Sequence, residues 1–299
     1  MAHGWIVLDK PLGLGSTTAV SAVKRVLRQG GYGKVKVGHG GTLDPLATGV
    51  LPIALGEATK LAGRMLDASK EYAFTLAFGA ETDTLDLEGR IVAESPVRPT
   101  RAQIEAVLPR FTGPIEQVPP AYSAIRVDGE RAYDRARAGE SVDLPSRAVT
   151  IHTLSLQAAD PESATFVAHV SKGTYIRSLA RDLARALGTV GHVTMLRRLR
   201  AGPFGLAEAI SLDKLEEVAK GAPLENILLP LEAGLDDIPA LDLGPEQASM
   251  VRQGRVLAGQ PQTDGLYWAR YGTVPVALVE LSGGFARVVR GFNLPDVAE

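Results

Sequence analysis

The chain has no cysteine, which excludes disulfides, thiolate nucleophiles and any cysteine-ligated zinc or iron–sulfur centre. Histidine is scarce too. The five (His3, His39, His152, His169 and His192) show no HExxH or comparable spacing, which argues against a metal enzyme, although carboxylates alone could hold magnesium without such a trace; no cofactor is expected. Nowhere do eighteen apolar residues run together, and the opening MAHGWIVLDKP lacks the basic and then apolar pattern of a leader. A cytoplasmic protein without membrane attachment is the expectation. There is also little charge of either sign in excess: the formal net charge is −2, which by itself argues neither for nor against a polyanionic partner.

What is present fits a folded globular protein, with 45% hydrophobic and 22% charged residues. At 299 residues the chain exceeds one typical domain of roughly 100–200 residues, which suggests a large domain and a small appended one. Charge is unevenly spread. Between Lys172 and Arg200 seven basic residues face one acid, Asp182, whereas Ala201–Glu246 carries ten acids against Lys214 and Lys220. Such segregation predicts a basic face that would steer a polyanion; ordinary solvated charge is the alternative.

Apolar alternation predicts strands at Trp5–Leu8, Tyr72–Ala77, Arg90–Ala93, Val149–Leu156 and Thr165–Val170. Helical periodicity falls between them: from Ser16 or Thr17, as cap, to about Leu27, then Glu57–Leu66, Thr100–Leu108, Tyr175–Leu187 and Leu212–Ala219. This irregular interleaving indicates an α+β domain with a central mixed or antiparallel sheet. Gly113–Leu144, with its prolines and Arg126, Arg131, Arg135 and Arg137, reads as an excursion from that sheet. Beyond about residue 240, short apolar runs separated by glycine predict a small β-rich unit.

The densest chemical signal is Gly38–Pro52, GHGGTLDPLATGVLP. Glycines and prolines crowd one carboxylate, Asp44, and Pro45 disfavours helix there, so Asp44 is displayed on a constrained loop. Such an acid can serve as nucleophile or base, or simply close an Asx-turn. Arg177, Arg181 and Arg185, at i, i+4 and i+8, form one stripe on the helix expected over Tyr175–Leu187.

The run GHGGTLDPLATGVLPIALGEATK resembles the Asp-containing motif of the TruB family of tRNA pseudouridine synthases. Asp9-Lys10-Pro11, Lys70-Glu71-Tyr72, Thr82-Asp83-Thr84-Leu85-Asp86, Ser171-Lys172-Gly173-Thr174-Tyr175-Ile176-Arg177 and Leu196–Phe204 resemble further motifs of that family in its order. The resemblance implies isomerisation of the T-loop uridine at tRNA position 55 to pseudouridine, by base flipping, glycosidic cleavage and rejoining through C5. It implies Asp44 as catalytic residue, Arg177 as its cationic partner and Tyr72 as the ring stacked on the target base. His39 would insert near the flipped nucleotide, Leu196 would wall the pocket, and Lys172, Tyr175, Arg181 and Arg126 complete the expected RNA-contacting set. Lys10-Pro11 would support the loop. By the same resemblance, residues 1–235 are the catalytic domain with a thumb-like insertion at about 113–144, and 240–293 are a PUA-type β-barrel-like RNA-binding domain. The partner would be the T-arm of tRNA, bound by a monomer needing no other protein.

Isomerisation needs no redox agent or group donor, so one ionised carboxylate suffices, and a neighbouring cation favouring its charged form is expected. Attack at C1′, abstraction of the 2′ proton and addition at C6 all remain open. A guide-RNA-dependent relative, a tRNA folding helper and a glycoside hydrolase are the rival readings. The last would need a second acid, and none stands beside Asp44 in sequence.

Overall fold

Chain order and strand order diverge in this protein, and that divergence assembles the site. The computed structural model describes residues 2–123, 125–127, 130–140, 142 and 144–294. It begins with β1 (Gly4–Lys10), α1 (Ser16–Gln29), β2 (Val37–His39), β3 (Ala47–Leu55), α2 (Ala62–Asp67) and β4 (Lys70–Phe78). There follow β5 (Ala80–Thr82), β6 (Ile91–Glu94), α3 (Arg101–Val107), β7 (Gly113–Gln117), β8 (Arg126–Val127), β9 (Glu130–Arg131) and α4 (Ala132–Arg137). Next come β10 (Arg147–Ala159), β11 (Ser163–Val170), α5 (Ile176–Ala186), β12 (Gly191–Ala201), β13 (Phe204–Gly205) and α6 (Leu212–Ala219). The last part holds β14 (Ala240–Asp242), α7 (Pro245–Arg252), β15 (Gly265–Tyr271), β16 (Val274–Ser282) and β17 (Phe285–Gly291).

The main sheet runs β1-β3-β12-β4-β11-β10-β7, with β2 added beside β3 and β13 beside β12. The β3–β12 pair is parallel and the other pairs along the path are antiparallel, so the sheet is mixed, as the interleaved pattern indicated. Strict alternation in β11 sends Ala164, Phe166, Ala168 and Val170 into the interior, where they pack with Phe74 and with Ile176, Leu179 and Leu183 of α5. Phe74 and Phe166 are register partners, and their rings stack at 5.2 Å. At the other end, α1 and α6 cover β1 and β3 through Val23, Val26, Leu27 and Leu215. Tyr72 and Leu196 touch both clusters, which puts them at the seam between the two halves.

A four-stranded sheet, β14-β15-β16-β17, forms the expected β-rich C-terminal part. Leu278 and Phe292 join Trp5, Val50 and Phe204 in a shared apolar cluster, and Lys60 Nζ donates to the Gly291 carbonyl at 2.8 Å. That sheet is thus packed against the back of the β1–β3 edge.

Some expectations change. Gly113–Gln117 is not part of the excursion but the edge strand of the main sheet, paired with Arg147–Ile151. Among the described residues, the excursion proper holds β8, β9 and α4. Ser16 does not cap α1: Gly15 is the cap residue, and the Ser16 hydroxyl is buried against Leu43 instead. The helix expected over Glu57–Leu66 starts as a 3-10 turn, Gly56–Leu61, and only then becomes α2. Nor does the run of cations near α5 make a bare basic face. Lys172 pairs with Asp67, Arg177 with Asp44 and Asp86, Arg181 with Asp182, Arg185 with Glu81 and Arg197 with Asp9.

Candidate active site

Asp44 lies on the connection between β2 and β3, and its loop is tied to the interior from three sides. The Ser16 hydroxyl donates to the Leu43 carbonyl at 2.9 Å and accepts from the Leu43 N–H at 2.8 Å. Arg198, buried on β12, donates to the carbonyls of Val50 (2.7 Å), Gly41 (3.1 Å) and Thr42 (3.3 Å), so one guanidinium spans the chain before and after Asp44. Lys10 Nζ donates to the carbonyls of Leu14 (2.6 Å), Pro11 (3.1 Å) and Pro45 (3.3 Å). Gly49 has φ of +99°, and a Cβ there would meet the Arg198 carbonyl oxygen at 2.2 Å, so glycine is needed where β3 approaches β12. Burial pulls the Lys10 ammonium down to about 8, with Asp44 opposing and Arg198 adding to the fall. Lys70, which donates to the carbonyls of Met65, Leu66 and Ala68 at the end of α2, is likewise lowered to about 8, chiefly by burial and then by Arg198.

Arg177 reaches Asp44 from the first turn of α5, with Nη2 at 3.0 Å from Oδ2. Its side chain is 7% exposed and that of Asp44 is 41% exposed, so the cation is fixed in the protein while the carboxylate faces the cleft. Arg177 also donates to the carbonyls of Thr84 (2.9 Å) and Tyr122 (3.0 Å), and its Nε lies 3.7 Å from Asp86 Oδ2. Asp86 is itself anchored, its Oδ1 accepting from the Thr84 hydroxyl (2.6 Å) and the Glu88 N–H (3.0 Å). The turn carrying it places Leu85 at φ +65°, a strained conformation for a branched residue.

Asp44 and Arg177 line a cleft of about 1230 Å³ together with His39, Tyr72, Tyr175 and Leu196, so six of the nine expected site residues converge there. Lys70 and Arg198 lie along the same wall, and Tyr122, Ser123, Tyr133 and Arg137 reach it from the excursion. Burial lowers the pKa of His39, and Arg198 lowers it further, so its imidazole is biased towards the neutral form. Two expected residues do not line the cleft. Lys172 is paired at the surface with Asp67 at 2.9 Å, and Arg181 is engaged by Asp182 (2.8 Å) and the Val118 carbonyl (3.1 Å). Arg126 lies on β8, but its side chain is outside the described residues. Among the described residues no group of three or more His, Asp or Glu is placed to hold a metal ion.

The second acid that sequence adjacency did not reveal is Asp86, whose Oδ2 lies 3.7 Å from Arg177 Nε. Its signal was available in Thr82–Asp86: a threonine-rich turn holding two aspartates rarely buries one without a cation to meet it. Arg198 and Gln117 were missed for a different reason. Both are buried polar side chains whose partners are backbone groups, which leave no mark in a one-dimensional pattern.

Comparison with known proteins adds the following. The TruB family pseudouridylate synthase N-terminal domain matches residues 24–176, and the tRNA pseudouridylate synthase B C-terminal domain matches residues 177–236. The chain is 73% identical to tRNA pseudouridine synthase B of Novosphingobium aromaticivorans, with 100% of each chain covered. It is 61% identical to the protein of that name from Zymomonas mobilis, over 97% of this chain and 96% of the other. Among solved structures, a chain of an H/ACA RNP bound to a substrate RNA containing 2′-deoxyuridine is similar, with TM-score 0.75, 25% identity, and 98% of this chain and 86% of that chain covered.

Proposed function

Because the chain belongs to the TruB family of pseudouridylate synthases, we propose that its cleft converts a uridine of tRNA, the T-loop residue at position 55, to pseudouridine with Asp44 as the catalytic carboxylate. The observation that carries this reading is the Asp44–Arg177 pair, a buried cation presenting a half-exposed carboxylate to a cleft large enough for a nucleotide.

The chemistry follows from that arrangement. A stacked uridine is first extruded, at a cost of a few kcal/mol, and Tyr72 offers the flipped base a ring while Leu196 walls the pocket. Asp44 then acts on the extruded nucleotide, at C1′, at the 2′ proton or at C6. In each case the N1–C1′ bond breaks, the base turns within the closed pocket and C5 bonds to C1′. The C5 proton finally leaves to solvent and N1 takes one up from solvent, so the atoms balance without a group donor. Arg177 supplies the fixed countercharge that orients the carboxylate throughout. His39 and Tyr175 contact the RNA around the flipped nucleotide, with Lys172 at the rim. Tyr133 and Arg137 support closure of the thumb-like insertion over it, where Arg126 would add a phosphate contact. Arg181 serves the same surface through its bond to Val118. The catalytic domain spans 1–235, and the C-terminal β unit, 240–293, adds RNA contacts as a PUA-type domain. The protein works in the cytoplasm as a monomer without a guide RNA or protein partner.

Incubating the purified full chain with unmodified tRNA and mapping pseudouridine by position tests this reading. Modification confined to the T-loop uridine is expected; modification only after adding a guide RNA or protein partners would contradict it.

A further inference from the structure

The excursion and the cation beside Asp44 meet at one buried amide. Gln117, the last residue of β7, is fully buried. Its Oε1 accepts the Tyr175 N–H at 2.8 Å and its Nε2 donates to the Tyr175 carbonyl at 3.1 Å, so two bonds to one residue define the amide's orientation. Tyr175 is the N-cap residue of α5, and its side chain makes no capping bond. Its carbonyl also accepts the Leu179 N–H at 3.0 Å, which opens the first turn of the helix. Arg177 lies in that turn. The grip of Gln117 therefore sets the height and rotation from which the guanidinium extends to Asp44.

Just past Gln117 the chain leaves the sheet, and its first residues hold the same turn. The Val118 carbonyl accepts from the Ser178 hydroxyl at 2.8 Å, and the Tyr122 carbonyl accepts from Arg177 Nη2 at 3.0 Å. Where the excursion returns, Arg147 donates to the Gly173 carbonyl and lies 4.8 Å over the Tyr175 ring. Both roots of the excursion thus converge on the start of α5.

We propose that Gln117 is a positioning residue, which registers Arg177 against Asp44 at the root of the RNA-facing excursion. This rests on the reading of Asp44 and Arg177 as the catalytic pair. A glutamine that only satisfied buried backbone would change stability when replaced and leave turnover of the folded enzyme alone; a positioning residue changes turnover itself.

The test uses the full chain, with single-turnover pseudouridine formation at saturating unmodified tRNA, the tRNA Kd and thermal melting measured together. Gln117→Met keeps the size and removes both bonds; Gln117→Glu keeps only the acceptor. Displacement of a catalytic group by about 1 Å costs roughly 10²-fold, and a rate loss of that order is expected in Gln117→Met with the tRNA Kd within about threefold of wild type. Gln117→Glu should fall between. In an Arg177→Lys background Gln117→Met should add less than about threefold, because the two act through one contact. A wild-type rate in folded Gln117→Met, or an equal loss in both backgrounds, would overturn the proposal. If Gln117→Met does not fold, an unchanged rate in Gln117→Glu does so alone. An inactive wild type would instead sink the functional reading beneath it.

Discussion

Asp44 and Arg177 are 3.0 Å apart, yet they are held in different ways. The Asp44 loop is tied inward, to Ser16 of α1, to Lys10 at the end of β1 and to Arg198 of the central strand β12. Arg177 stands on a turn gripped by Gln117, Val118, Tyr122 and Arg147, the residues from which the excursion departs and to which it returns. The carboxylate is therefore preorganised by the core of the domain, and its countercharge is preorganised by the roots of the excursion. Substitutions on the first side should lower stability and activity together. Those on the second should lower turnover by more than their cost in stability accounts for.

The strongest way to break the contrast is Gly49→Ala. It forces a side chain into φ of +99° and against the Arg198 carbonyl, and a loss of roughly 3 kcal/mol is expected in a denaturant titration. Arg198→Met comes next, leaving the carbonyls of Gly41, Thr42 and Val50 without that donor, at roughly 2–3 kcal/mol. Arg198→Lys should recover only part of that, since an ammonium cannot match the guanidinium fork across Gly41, Thr42 and Val50. Ser16→Ala removes two bonds to Leu43 and should cost about 1–2 kcal/mol, with activity falling in step. A smaller effect sharpens the same side by pH. Lys10 is lowered from 10.5 to about 8, so between those values the native state binds fewer protons than the unfolded state, and this lysine makes stability rise with pH across that window. Subtracting the pH profile of Lys10→Met from that of wild type should isolate the rise; a flat difference would contradict it.

Much of this was legible in the sequence, and the reasons for the rest are physical. Helix α6 was expected at Leu212–Ala219 and is found there, because Ser211 caps it and Leu215 and Val218 give its buried face. The strands β4 and β11 follow their alternation. Strand β12 escaped because three of its eleven residues are arginines, which suggest surface until Arg198 is seen satisfied by carbonyls in the interior. Strand β3 escaped because Gly49 and Pro52 imitate a loop, although the same glycine is what lets it approach β12. The Arg177, Arg181, Arg185 stripe was visible as a spacing, but acids brought from distant segments, Asp44, Asp86 and Glu81, and the adjacent Asp182 pair with it. Local pattern therefore revealed Asp44 and its loop, while the support of Arg177 depended on contacts between segments far apart in sequence.

The most direct test of the account is release of tritium from tRNA labelled at uracil C5, followed for wild type and Asp44→Asn with tRNA binding measured in parallel. Release by wild type and none by Asp44→Asn at undiminished tRNA affinity is the expected result. Release by Asp44→Asn at a rate near that of wild type would contradict it.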